Sequence, residues 1–313
     1  MNKNYRKIYD ELITSQLKAV IIDYSPQTHN YIYRGYTHKA EATSMDDVVK
    51  LVIDDMIFYA FSESEVLELH EDLEILDDLR EAAKYAYSQR LPKRLNANTD
   101  GTLGEVLLDI FIQAYAPNAE KLVIRAKHTE IKSKKEITGY DALYFTLDNS
   151  DICIWLGQAK AGKKDYCKKS IVDDLNDKFK KDYFADTAFF IADKCDTEEL
   201  KKMLRQINRI CYEAQKNNYS AEKKINELVN YLKCNNVKVK IPCLIAYTKD
   251  IYANEEKLKE HIISEVEEIR KKFDDELFSI EVELPYELVF YIFPIKDVNY
   301  LRNKIIELKR EAI

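Results

Sequence analysis

An α/β fold, with a mixed sheet flanked by helices and a helix-rich N-terminal region, is predicted by three features of the 313-residue chain. Ile241 to Tyr247 and Leu288 to Pro294 are uninterrupted apolar runs of strand length, as expected of strands covered on both faces. Between residues 122 and 159 lie three further strand-like runs: 122–129, 140–147 and 151–159. Much of the remainder repeats apolar residues at helical spacing, and with only 6 Gly and 6 Pro few positions interrupt a helix.

Taken in order, the chain opens on an amphipathic stretch (Tyr5, Ile8, Tyr9, Leu12, Ile13), and Tyr31-Ile32-Tyr33 reads as a short strand. Ser44 is the expected N-cap of a helix carrying Val48, Val49, Leu51, Val52, Met56 and Ile57. A second helix is predicted from Ser64 to Gln89, ending before Leu91-Pro92. The polar run Asn96 to Gly101 is the best domain boundary, dividing a helix-rich acidic region, 1–97, from a second domain, 98–313. Thr102 then caps a helix from Leu103 to Tyr115, and the three strand-like runs follow as a meander. Helical spacing returns at 164–183, 197–215 and 221–234, and charged helices follow each of the two apolar strands. These strands extend the meander into one sheet.

Composition narrows the function classes. With 46% hydrophobic and 33% charged residues the chain is globular, without room for a long disordered tail. No apolar run approaches the ~20 residues of a membrane span, and the polar start lacks a signal-peptide core, so a cytoplasmic protein with no membrane association is expected. The six cysteines have no zinc-finger or CxxC spacing, which points to reduced thiols. A net charge of −7 argues against nucleic-acid binding over the whole surface. The charge is unevenly spread, however. Asp46 to Glu81 holds thirteen acidic residues against Lys50 and Arg80, whereas Lys121 to Lys164 holds nine Lys/Arg against five Asp/Glu.

The locally basic stretch also holds the residues best suited to chemistry. Gln158 and Lys160 stand two apart near the end of a strand, so they project from one face of the sheet. Asp141, at the start of the preceding strand, reaches that face if the two strands pair, and Glu105 lies in the first turn of the helix before them. A carboxylate, a carboxamide oxygen and an ammonium meeting at one sheet edge can hold a hard divalent cation beside a phosphodiester. Individually each residue reads as an ordinary strand-end, turn or helix-dipole group; the joint order carries the argument.

That order, helix then three antiparallel strands with Asp141 on the second and Gln158-Ala159-Lys160 on the third, resembles the PD-(D/E)xK restriction-endonuclease-like superfamily. The resemblance implies a Mg2+ (or Mn2+) ion held by Asp141, Glu105, Gln158 and the Ala159 carbonyl, with Lys160 orienting water. Gln158 stands where Asp or Glu is commoner. Gly139-Tyr140-Asp141-Ala142-Leu143, the Trp155 to Lys160 strand and Phe293-Pro294-Ile295-Lys296-Asp297 further resemble HamA/AbpA-type anti-phage proteins of the Hachiman system. This likeness implies a DNA nuclease held by a helicase partner, HamB. The acidic N-terminal region is a candidate docking surface, and Lys163 and Lys164 are candidate nucleic-acid contacts. Catalytically inactive DNA-binding or scaffolding is the alternative.

A different motif overlaps the same residues. Gly157 to Lys164 fits G-x-x-x-x-G-K, with Lys164 where a P-loop needs Ser or Thr, and Ala188 to Asp193 resembles a metal-binding strand of an NTPase. His128 reads as a structural strand residue.

Overall fold

The computed structural model describes residues 3–93, 95–96, 101–122, 139–148, 151–185, 198–276 and 278–313. The predicted first strand of the meander beyond Leu122, His128, the turn at Ser133-Lys134-Lys135, the run from Ala188 to Asp193 and Cys195 lie outside the described residues, as does most of the predicted boundary.

Three short helical pieces open the chain: α1 (Lys3–Tyr9), a π-helical turn (Asp10–Thr14) and α2 (Ser15–Val20). The strands β1 (Ile21–Thr28) and β2 (Ile32–His38) follow, then α3 (Ser44–Ala60), α4 (Glu63–Leu73), α5 (Leu79–Gln89) and α6 (Thr102–Tyr115). Next come β3 (Glu120–Lys121), β4 (Ala142–Asp148), β5 (Asp151–Gly162), α7 (Lys164–Lys178), α8 (Glu198–Lys216) and α9 (Ala221–Cys234). The chain closes with β6 (Lys238–Thr248), α10 (Leu258–Asp274), β7 (Tyr286–Ile295) and α11 (Val298–Ala312).

Among the described residues one seven-stranded sheet has the order β1-β2-β7-β6-β5-β4-β3. The four central strands β2, β7, β6 and β5 run parallel, and antiparallel pairs close both sides. The apolar runs in β6 and β7 explain why these strands are central. Leu244, Ala246, Tyr291 and Phe293 pack under α3, α5, α6 and α11, whereas their neighbours Cys243, Ile245, Phe290 and Ile292 pack under α7 to α10. Side-chain alternation thus feeds two cores from one pair of strands.

The N-terminal region belongs to this architecture. β2 pairs with β7 from Ile32↔Val289 to Gly35↔Ile292, and α3 and α5 share a core with α6 and α11. No described helix is long and apolar enough to cross a membrane.

Three local expectations are corrected. The helix predicted from Ser64 to Gln89 is two helices: Glu74 adopts φ 53°, and Asp78 restarts the chain by accepting from the Arg80 and Glu81 amides. Asx capping there competes successfully with continued helix. Ser44 does not cap α3; it lies inside the helix, with its hydroxyl 3.0 Å from His38 Nδ1. Thr102 is likewise the first helical residue of α6, behind Gly101.

Candidate active site

Close packing of α6 on β5 creates the site. A Cβ at Gly157 would lie 2.8 Å from both Ala142 Cβ and Leu108 Cδ2, so a side chain there would push the helix off the sheet. Gly104 faces Ala159 and Ala161, with only 3.5 Å from its would-be Cβ to Ala159 Cβ. These small residues bring the first turn of α6, and with it Glu105, down to the end of β5. Glu105, Asp141, Ala159, Lys160, Lys163 and Arg302 line one cleft of about 570 Å3 there. A second cleft, of about 480 Å3, lies near the other end of β5 beside Trp155 and Lys240 and contains none of these residues.

Asp141 is anchored through its main chain and its side chain. Its amide donates to the Gly157 carbonyl at 2.8 Å, and its Oδ2 accepts the Ala159 N–H at 2.8 Å. In an extended strand the N–H and C=O of one residue point to the same edge, so the Ala159 carbonyl faces the Asp141 side as well. Glu105 accepts a hydrogen bond from the Tyr59 hydroxyl of α3, which ties the N-terminal region to the site.

Lys160 lies under α7, where its ammonium is 2.5 Å from Asp174 Oδ2. Burial pulls the Lys160 pKa down, but the Asp141 and Asp174 carboxylates outweigh it and the net shift is upward. The side chain therefore remains an ammonium at neutral pH, suited to donating hydrogen bonds and countering negative charge. It is not suited to act as a base.

Gln158 shares the face of Lys160, as strand alternation requires, yet it does not line the cleft. Fully buried, it accepts through Oε1 from Lys178 Nζ at 2.7 Å, and Lys178 also stands 3.2 Å from Asp174 Oδ2. A continuous chain of contacts thus runs from Gln158 through Lys178 and Asp174 to Lys160. Asp174 and Lys178 were not among the sequence candidates, although a signal was present. Cys167, Ile171, Asp174 and Lys178 fall at i, i+4, i+7 and i+11, so two charged residues occupy the stripe that α7 turns to the sheet. Arg302 was also missed; its Nη2 donates to the Ala161 carbonyl at 2.7 Å from the C-terminal helix.

The two expected phosphate contacts divide. Lys163 is exposed in the cleft lining, whereas Lys164 pairs with Glu265 and Glu268 of α10 at 2.7 and 2.6 Å. The P-loop geometry is absent: from Gln158↔Cys243 to Gly162↔Tyr247 the motif is paired strand, with no loop of free amides to cradle a phosphate.

Among the described residues no three His, Cys, Asp or Glu side chains cluster as metal ligands. The cleft instead offers two carboxylates, Glu105 and Asp141, together with the Ala159 carbonyl. This all-oxygen set fits a hard divalent cation that retains several waters, and it does not fit zinc. No curated protein and no solved structure matches the chain significantly. The family model described as HamA, however, matches residues 8–308, so both walls of the cleft and nearly all of the fold fall within it, and the chain belongs to the HamA family of anti-phage defence proteins.

Proposed function

We propose that the protein is a metal-dependent DNA nuclease of the PD-(D/E)xK kind, working in anti-phage defence with a helicase partner of the HamB type. The observation that supports this reading best is the meeting of Glu105, Asp141, Ala159 and Lys160 in one cleft, although they come from α6, from the bend just before β4 and from β5. Glu105, Asp141 and the Ala159 carbonyl would hold Mg2+ or Mn2+, which supplies Lewis-acid polarisation of the scissile phosphate when bound. Lys160 orients the attacking water by donating to it and counters the charge that develops on the phosphate. Asp174 is a positioning residue that fixes the Lys160 ammonium. Lys163 and Arg302 contact neighbouring phosphates.

The partner reading is supported by the outer surface of α4 and α5. Glu68, Glu71, Asp72, Glu74, Asp77 and Glu81 are exposed there, and Leu73 among them is 56% exposed. Such a ridge repels phosphates and suits a basic protein surface with an apolar recess. Co-expression with a helicase encoded beside the gene, followed by pull-down at low and high salt, tests the contact. Reversing the charge of three of these acids weakens association chiefly at low salt; an association indifferent to them removes this docking surface.

A second reading, a nuclease-derived subunit that binds DNA without cutting it, is favoured by one observation: the Gln158 carboxamide is engaged with Lys178. Calorimetric titration of Mg2+ and Mn2+ separates the two. Binding that disappears in Asp141→Ala supports the nuclease, and no binding in the wild type supports the non-catalytic subunit.

A further inference from the structure

The helix α8 carries a feature that the cleft does not use. Met203, Leu204, Ile207 and Ala214 are buried, which fixes the face that α8 turns inward. Lys202, Arg205, Arg209, Tyr212 and Lys216 are all exposed. At 100° per residue these five fall within an arc of about 80°, and at 1.5 Å per residue they extend over about 21 Å. Over the whole of α8 five Lys/Arg stand against three acids: Glu198 and Glu199 in its first turn, and Glu213, which pairs with Arg209 at 2.9 Å.

An ordinary solvated helix face mixes signs. α11 does so, with Lys304 paired to Glu307 and Glu311 held by Arg80 and Lys84 of α5. From Lys202 to Lys216 the α8 stripe is nearly of one sign, on a chain whose net charge is −7, and Tyr212 within it is 64% exposed. Just past the next turn, Lys223 of α9 sits 3.5 Å from the centre of the Tyr219 ring.

We propose that this outer face of α8 is a nucleic-acid-binding surface, separate from the cleft, that contacts the phosphate backbone. Duplex DNA carries one charge per ~1.7 Å of axis, so a 21 Å line of cations meets several phosphates at once. Lys202, Arg205, Arg209 and Lys216 supply these contacts, and Tyr212 packs on a sugar or an unpaired base. Backbone contacts of this kind hold and orient the nucleic acid without reading its sequence. The inference needs nucleic acid as the ligand but does not depend on the chemistry assigned to the cleft.

Fluorescence anisotropy of the full-length protein with a labelled 30-base-pair duplex and the matching single strand, in EDTA and from 50 to 200 mM salt, tests it. Lys202→Ala/Arg205→Ala/Arg209→Ala should weaken duplex binding tenfold or more at 50 mM salt. It should also reduce the slope of log affinity against log salt by about 2 to 3. Tyr212→Ala should weaken the single strand more than the duplex, and Tyr212→Phe should restore it. Lys304→Ala, on the mixed-sign face of α11, serves as the reference and should bind with the wild-type affinity and slope. Because binding is read in EDTA, where no metal-dependent cutting occurs, a failed nuclease reading and a failed α8 surface give different results. A folded triple variant with unchanged affinity and slope overturns the proposal. So does a wild-type protein that binds neither probe, or a triple variant that retains DNA but loses a protein partner, which would make α8 a docking face for an acidic protein.

Discussion

Asp174 Oδ2 lies 2.5 Å from Lys160 Nζ, across the interface between α7 and β5. A carboxylate from the helix thereby stands beside the ammonium at the place where the strand itself offers only the neutral Gln158. Because Lys178 contacts both Asp174 and Gln158, the three residues form one framework behind Lys160.

Removing this carboxylate by Asp174→Asn should lower DNA cleavage by roughly 10- to 100-fold, the range for a group that positions another. A change in pH dependence distinguishes positioning from general destabilisation. Asp141 and Asp174 together raise the Lys160 pKa, so loss of Asp174 lowers it, and the alkaline fall in activity should begin at lower pH. Asp174→Glu should recover part of the activity. A variant with reduced rate but an unmoved pH profile would leave Asp174 with a purely structural role.

Gln158→Glu reports on the ligand set. Its new carboxylate would face Lys178 Nζ, which now donates to Oε1 at 2.7 Å, so the Mg2+ concentration for half-maximal cleavage should stay unchanged. A clear fall in that concentration would show instead that residue 158 turns into the cleft and ligates the metal.

How far the sequence foretold this arrangement differs from element to element. The helix at Ala221–Cys234 and the central strands β6 and β7 were legible because strong periodicity or an unbroken apolar run leaves few alternatives. The order of Glu105, Asp141, Gln158 and Lys160 was legible for a similar reason, since strand alternation alone places the last two on one face. Asp174 and Lys178 were not selected because their meaning depends on how α7 lies across β5, a contact between residues 14 to 20 positions apart. The break at Glu74 carries no Gly or Pro, and Ser44 looked like a cap until His38, brought next to it by β2, took its hydroxyl.

His38 gives the fold a defined acid sensitivity. Burial lowers its pKa from 6.5 to about 4, outweighing the Lys39 carbonyl and Asp250, which raise it; Lys296 lowers it further. The ring stacks on Tyr252 with centroids 3.6 Å apart, and Nε2 accepts from the Lys296 amide at 3.3 Å. Between pH 6.5 and 4 the unfolded chain binds a proton here that the folded chain does not. The contribution is therefore fully present above pH 6.5 and is lost as the pH falls towards 4, up to about 3 kcal/mol. Urea unfolding midpoints measured from pH 8 to 4.5 should fall more steeply for the wild type than for His38→Gln. Parallel curves would remove His38 as the cause.

The assignment of Glu105, Asp141, Ala159 and Lys160 as the cutting centre is tested most directly by cleavage of DNA by purified protein, with its partner present if activity requires it. Wild type, Asp141→Ala and Lys160→Ala should be compared in Mg2+, Mn2+ and EDTA, with circular dichroism to establish that each is folded. Wild type should cut only with a divalent cation, and each variant should lose about 100-fold or more, as expected when a group acting at the reacting phosphate is removed. Cleavage at the wild-type rate by both folded variants would contradict the assignment.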